Sequence, residues 1–198
     1  MPDQIWALIL FALIATGSPG GATALATASG ARFGYRQSLP LIFGIAIALA
    51  LLVAVSGTSL TAMLQSTPFL NSAIRAFGSA YLVWLALKIG LAGSPSATRL
   101  SGTKPMSFLV GSALLLVNPK AWAMAVGVAS SFSNIVSDPI LLGSILATVF
   151  LLCASASLSL WVLVGGVIAH SMRTDRHWHI FNGAMALLLL ISILQLWI

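Results

Sequence analysis

Charge is what this chain has least of. Only 6% of its 198 residues are Asp, Glu, Lys or Arg, where a soluble domain carries roughly a quarter. So few charged side chains cannot cover a water-soluble globule. The 59% of hydrophobic residues and a mean hydropathy of +1.05 agree. Acids number three, at Asp3, Asp138 and Asp175, all outside the apolar runs. That excludes a proton relay through an intramembrane carboxylate. Cysteine is nearly absent too. Cys153 alone cannot form a disulfide within the chain, and in its apolar stretch it reads as a small packing residue. Histidine occurs three times, at His170, His177 and His179, in or beside one loop. These read as interfacial residues, not metal ligands, and no metal or other cofactor is expected. Without a histidine inside a span there is no intramembrane Ser–His pair, and no enzyme activity is expected.

What is present is apolar sequence in span-sized lengths of about 20 residues. The runs are about Ile5–Ala28, Leu39–Leu64, Phe69–Leu91, Met106–Ser131, Pro139–Ala169 and Ile180–Ile198. The first resembles a signal peptide in its Ala26-Thr27-Ala28. Its flank Met1–Gln4 carries no Lys or Arg, however, and Arg32 and Arg36 follow it. That polarity is wrong for a cleaved signal, so it reads as a mature helix. The fifth run exceeds what a bilayer needs, so it should tilt or emerge. The expected fold is an all-α integral membrane protein of about six transmembrane helices in one domain over 1–198. Repeat one covers about 1–92, a polar linker about 93–104, and repeat two about 105–198.

The net charge of +6 would suggest nucleic acid in a soluble protein. Here the basic residues are scattered and set orientation instead, so no nucleic-acid partner is expected. Arg32, Arg36, Lys88, Arg99, Lys104, Arg173 and Arg176 fall on the side of the 1–2, 3–4 and 5–6 connections, whereas the opposite side holds Arg75 with Asp3 and Asp138. This predicts a multi-pass protein of the cell membrane with both termini facing away from the cytoplasm. Its surroundings are the lipid bilayer, and small-residue faces on spans two, three and five permit a homodimer.

Two spans carry a break. The first contains Thr16-Gly17-Ser18-Pro19-Gly20-Gly21 and the fourth Val117-Asn118-Pro119-Lys120, with the two prolines a hundred positions apart. Proline removes a backbone donor and clashes with the preceding turn. The groups it frees must face protein or a watery cavity. With three spans per half, the halves are inverted, and interrupted helices at matching positions mark a midplane substrate site. A lysine at that depth costs about 2.5–3.5 kcal/mol on insertion scales, so Lys120 should face the bundle interior. The plainer alternatives are an ordinary kink, and a lysine held by the carbonyls that Pro119 frees. The candidate binding residues are Ser18, Pro19, Gly20, Gly21, Asn118, Pro119 and Lys120. Ser155 and Ser159 share a helix face at i, i+4. With Thr16 and Tyr81 they are candidate pathway-lining residues, although packing is the commoner role for such residues.

Four segments carry a resemblance. Ser18-Pro19-Gly20-Gly21, Ser29-Gly30-Ala31-Arg32-Phe33-Gly34, Gly78-Ser79-Ala80-Tyr81-Leu82-Val83-Trp84-Leu85 and Asn118-Pro119-Lys120-Ala121 occur in that order. Over nearly its whole length the chain resembles the LysE/RhtB family of amino-acid exporters. The resemblance implies gradient-driven export of amino acids or related small metabolites across the bacterial inner membrane. It departs from the family pattern where Gly21 and Ala22 replace the usual second proline and asparagine of the first break.

These readings converge on a secondary transporter working by alternating access, with an amino acid or similar small molecule as substrate. Half-helix N-termini after Pro19 and Pro119 would face a substrate carboxylate, and Lys120 would pair with it. Carbonyls or hydroxyls at Thr16, Gly17 or Val117 would take the substrate ammonium. The rival readings are a non-transporting assembly or sensor protein that retains the fold and, last, an intramembrane enzyme.

Overall fold

The computed structural model describes residues 2–18, 20–56, 76, 79–80, 83–84, 86–91, 104–171 and 174–194. The end of the expected second span, most of the third with Arg75 and Tyr81, the linker from 92 to 103, Pro19 and Arg173 lie outside the described residues. Among those described, every regular element is an α-helix: α1 (Pro2–Gly17), α2 (Gly21–Ser56), α3 (Phe108–Leu116), α4 (Pro119–Ser131), α5 (Pro139–Ser171) and α6 (Asp175–Leu194).

The expected first and second spans meet more tightly than the hydropathy runs imply. No loop of ten residues separates them; α2 runs to Phe33, turns at Gly34, and continues. Gly34 has φ 77° and ψ 176°, a region that glycine alone occupies freely. The hydroxyls of Ser29 and Ser38 approach to 2.8 Å across this corner, where a straight helix would hold them about 13 Å apart along its axis. The arms of α2, residues 21–33 and 35–56, therefore fold back on each other. Gly21 lies beside Ile45 and Leu49, on one cavity.

Helix α5 is the spine. At 33 residues it is about 50 Å long, which fits the expectation of tilt or an emergent end. Asp138 caps it, its carboxylate accepting from the Ile140 and Leu141 amides at 2.8 and 3.0 Å, with Pro139 in the first helical position. Glycines let backbones touch along this spine. A Cβ on Gly30 would overlap the Val162 carbonyl, and one on Gly165 the Thr27 carbonyl. Gly143 faces Ala54 in the same way. Phe11 of α1 lies 5.9 Å from Phe132 and 6.4 Å from Phe150, between ring centroids. Trp178 and Phe181 of α6 pack with Ala31, Ile168 and Ala169, at the same end of the molecule as the Gly34 corner.

The outer surface is apolar. Trp6, Leu109, Ile140 and Val167 are all at least 70% exposed, a face that water would not tolerate and lipid covers. The 35–56 arm of α2 and helix α5 are each long and apolar enough to cross a membrane. The pair α3–α4, bent by 67° at its break, counts as a third where the two are read as one broken span.

Candidate functional site

Both breaks are capped by their own sequence. In the first, Gly20 precedes α2, and its carbonyl accepts the Ala24 amide at 2.9 Å. The Gly20 amide donates to the Thr23 hydroxyl at 2.8 Å, and that hydroxyl donates back to the Gly20 carbonyl at 3.0 Å, half of a capping box. In the second, Asn118 is the N-cap of α4, its side-chain oxygen accepting from the Lys120 amide at 3.1 Å, and Pro119 occupies the first turn, where it needs no donor.

Each break also orphans a carbonyl, and each orphan is taken by an indole. The Trp161 Nε1 donates to the Gly17 carbonyl at 3.1 Å, and the Trp122 Nε1 to the Leu116 carbonyl at 2.7 Å. Neither tryptophan is marked in the sequence as a site residue, because nothing in its local pattern announces a distant carbonyl. The Gly17 carbonyl, considered above for a substrate ammonium, is thus already engaged.

The side chain of Lys120 crosses from one break to the other. Its Nζ donates to the Ser18 hydroxyl at 2.7 Å and to the Ser18 carbonyl at 3.2 Å. The plainer alternative, a lysine held by the carbonyls that Pro119 frees, is not the arrangement found. The lysine's partner belongs to the other half of the chain, while Trp122 serves the local Leu116 carbonyl. A Cβ added to Gly20 would sit 3.4 Å from the ammonium, so the first break approaches the lysine with bare backbone.

Around this contact lies a cavity of about 40 Å³, room for a few water molecules. Thr16, Thr23, Asn118 and Lys120 supply its polar side chains, and Gly20, Gly21 and Ala22 its backbone edge. Ile45, Leu49, Met124 and Leu158 form the apolar wall. Thr16 donates to the Ala12 carbonyl at 2.7 Å and meets Ser157, near the middle of α5, at 3.1 Å. Of the expected site residues the structure brings together Ser18, Gly20, Gly21, Asn118, Lys120 and Thr16, and puts Pro119 in the first turn of α4. Ser155 does not line the cavity, and Ser159 pairs with the Tyr35 hydroxyl at 3.1 Å, near the surface. The face of α5 that looks inward carries Ala154, Ser157 and Leu158. The burial rhythm Phe150, Cys153, Ala154, Ser157, Leu158, Val162 marks that face in the sequence. Pro19 and Tyr81 lie outside the described residues. Among the described residues no group of three His, Cys, Asp or Glu side chains is placed to hold a metal ion.

An all-helical molecule with an apolar exterior, whose interrupted helices meet through a lysine, belongs to the class of integral membrane transport proteins. The family model for LysE type translocators matches residues 13–197, and the chain belongs to that family. It is a family of transporters and not of enzymes. The chain is 30% identical over 142 residues to an uncharacterized membrane protein of Vibrio cholerae serotype O1, covering 70% of this chain and 69% of that one. It is 30% identical over 131 residues to a cysteine/O-acetylserine efflux protein of Escherichia coli O1:K1, covering 66% of each. A cysteine/O-acetylserine efflux protein of Salmonella choleraesuis is 28% identical over the same share. No solved structure matches.

Proposed function

We propose that this chain exports small amino acids or closely related metabolites from the cytoplasm by alternating access. The observation that carries the reading is the Lys120–Ser18 contact, which joins the two broken helices at the cavity. In the proposed cycle a substrate carboxylate replaces Ser18 as the acceptor for Lys120. The N-terminal turns of α2 and α4 face the same point and favour negative charge there. Releasing Ser18 uncouples the two breaks, and the halves rock to expose the cavity on the other side.

The architecture proposed for this cycle is six spans in two inverted three-helix repeats. Thr16 meets Ser157 near the middle of α5, which supports a site near the midplane. Both breaks come from one chain, so a homodimer is not needed to complete it. The Gly34 corner, flanked by Arg32 and Arg36, shares an end of the molecule with the α5–α6 junction. That grouping supports a cytoplasmic end rich in positive charge, with both termini outside a bacterial inner membrane. The named efflux relatives support a small substrate.

Radiolabelled efflux from cells overproducing the chain tests the reading. Lys120→Ala should abolish export of whichever small amino acid the wild type releases, while membrane insertion, followed by immunoblot of the membrane fraction, is unchanged. Wild-type efflux from that variant sinks the mechanism. No efflux from the wild type across a panel of amino acids favours the non-transporting alternative.

A further inference from the structure

We infer that the site selects by charge: it accepts a zwitterion with a small uncharged side chain and refuses basic amino acids. The inference rests on the export reading above. Among the described residues the cavity holds one full charge, the ammonium of Lys120, and no acid. The chain cannot supply one, since its three acids stand at Asp3, Asp138 and Asp175. Asp3 is at the far end of α1 from the break, Asp138 is exposed and caps α5, and Asp175 is exposed at the start of α6.

A zwitterion can be matched here. Its carboxylate takes the two donor directions of Lys120 now spent on Ser18, a charge-assisted pairing. Its α-ammonium stays beside that carboxylate and needs only neutral acceptors. Ser18 offers its carbonyl, and the Asn118 side-chain oxygen has a lone pair beyond the one given to the Lys120 amide. A second ammonium, on a lysine or arginine side chain, has no such match. The cavity's other polar side chains, Thr16, Thr23 and Asn118, carry no charge. The rest of its wall, with Ile45, Leu49, Met124 and Leu158, is apolar, so nothing there offers a second ammonium a counter-charge. It would also enter a site already carrying a positive charge in a medium that screens poorly. The small residues Gly20, Gly21 and Ala22 at the rim leave space for a short side chain.

Purified protein in proteoliposomes, loaded separately with radiolabelled alanine and radiolabelled lysine, tests this. The expected result is lysine efflux at less than one tenth of the alanine rate. Lysine efflux at or above one tenth of that rate overturns the charge selection and leaves the transport reading standing. If wild-type protein moves neither probe faster than Lys120→Ala protein does, the charge selection is overturned. Only a wild type that also releases nothing from the panel of amino acids brings down the transport reading with it. A second variant attacks the same point from the opposite side. Met124→Glu places a carboxylate on the apolar wall, and the lysine-to-alanine rate ratio should rise at least fivefold. An unchanged ratio in a Met124→Glu protein that still moves alanine overturns the inference.

Discussion

Lys120 and Ser18, 102 residues apart, are joined by two hydrogen bonds from one ammonium, at 2.7 Å to the hydroxyl and 3.2 Å to the carbonyl. Because Ser18 occupies the donor that a substrate carboxylate needs, it is a competitor as well as a tether. Removing its hydroxyl should therefore help binding. A hydrogen bond to a charged group is worth about 1.5–3 kcal/mol, and the Ser18 carbonyl survives the substitution, so about 1 kcal/mol is a reasonable share. Ser18→Ala should lower the half-saturating substrate concentration for efflux about fivefold, opposite in sign to the loss expected of Lys120→Ala. An increased half-saturating concentration would show that the hydroxyl binds substrate instead of competing with it.

The indoles of Trp161 and Trp122 do equivalent work on the two orphan carbonyls, yet they differ in reach. Trp122 is on the helix that follows its break, six residues from Leu116, whereas Trp161 comes from α5, 144 residues from Gly17. Trp161→Phe keeps the ring's bulk and leaves the Gly17 carbonyl without this donor, which should cost about 1–3 kcal/mol. It also removes one of the ties between α1 and the spine, leaving Thr16–Ser157 and Phe11–Phe150. Trp122→Phe should cost less, because the Leu116 carbonyl lies at a more exposed contact. Thermal unfolding of the detergent-purified variants checks this order. A thiol-reactive dye serves as reporter, since the sole cysteine, Cys153, is buried. Equal shifts for the two variants would remove the distinction between tether and local cap.

Much of the site was legible in the sequence because its chemistry is anomalous for its surroundings. A proline or a lysine in an apolar run has few physical excuses, so Pro119 and Lys120 stand out by themselves, whereas the cap that Asn118 makes on α4 shows only in the structure. What Lys120 touches was not legible. The local carbonyls freed by Pro119 are nearer in sequence, and only folding brings Ser18 closer than they are. The same limit explains Trp161 and Ser157. A tryptophan or a serine in a membrane helix fits packing equally well, and its partner is set by the rotation of α5. That rotation follows the burial rhythm of Phe150, Ala154, Ser157 and Leu158, not the spacing of Ser155 and Ser159. The corner at Gly34 was half legible. The apolar runs placed a turn between the first two spans, but hydropathy falls off gradually near Arg32 and Arg36 and cannot locate a reversal made by one residue.

Loss of the Asn118 cap should be felt at the site more than in the fold. Its side-chain oxygen holds the Lys120 amide at 3.1 Å, and replacing such a cap with alanine costs about 1 kcal/mol. That is small against the packing of the bundle. The amide it holds, however, belongs to the residue whose side chain spans the two breaks. Asn118→Ala should reduce the maximal efflux rate at least threefold with little change in melting temperature. Asn118→Ser, which can still cap, should recover most of that rate. A serine variant no better than alanine would mean that the lone pair Asn118 turns to the substrate ammonium matters more than the cap.

Three glycines separate two reasons for lacking a side chain. At Gly165 the reason is space: a Cβ there would overlap the Thr27 carbonyl oxygen and crowd the Ala31 amide nitrogen. Backbone atoms on two packed helices cannot move aside singly, so Gly165→Ala should force α2 and α5 apart and cost about 3 kcal/mol or more. At Gly166, one position on, the nearest atom to such a Cβ is the Gly30 carbonyl oxygen at 3.9 Å, an ordinary contact. Gly166→Ala should be neutral, or slightly stabilising through the lower entropy of its unfolded chain. Gly34 is the third case. Nothing lies within 4 Å of a Cβ there, yet its φ of 77° suits only glycine, so Gly34→Ala should cost about 1–3 kcal/mol through backbone strain alone. Size tells the two mechanisms apart. Lengthening alanine to valine should worsen position 165 steeply, while at position 34 the added bulk meets no neighbour and only the β-branching adds strain. Unfolding temperatures of the five variants, read by Cys153 labelling, should therefore rank Gly166→Ala above Gly34→Ala and Gly165→Ala, with Gly165→Val lowest. A tolerated Gly165→Val would show that α2 and α5 do not pack backbone to backbone at this crossing.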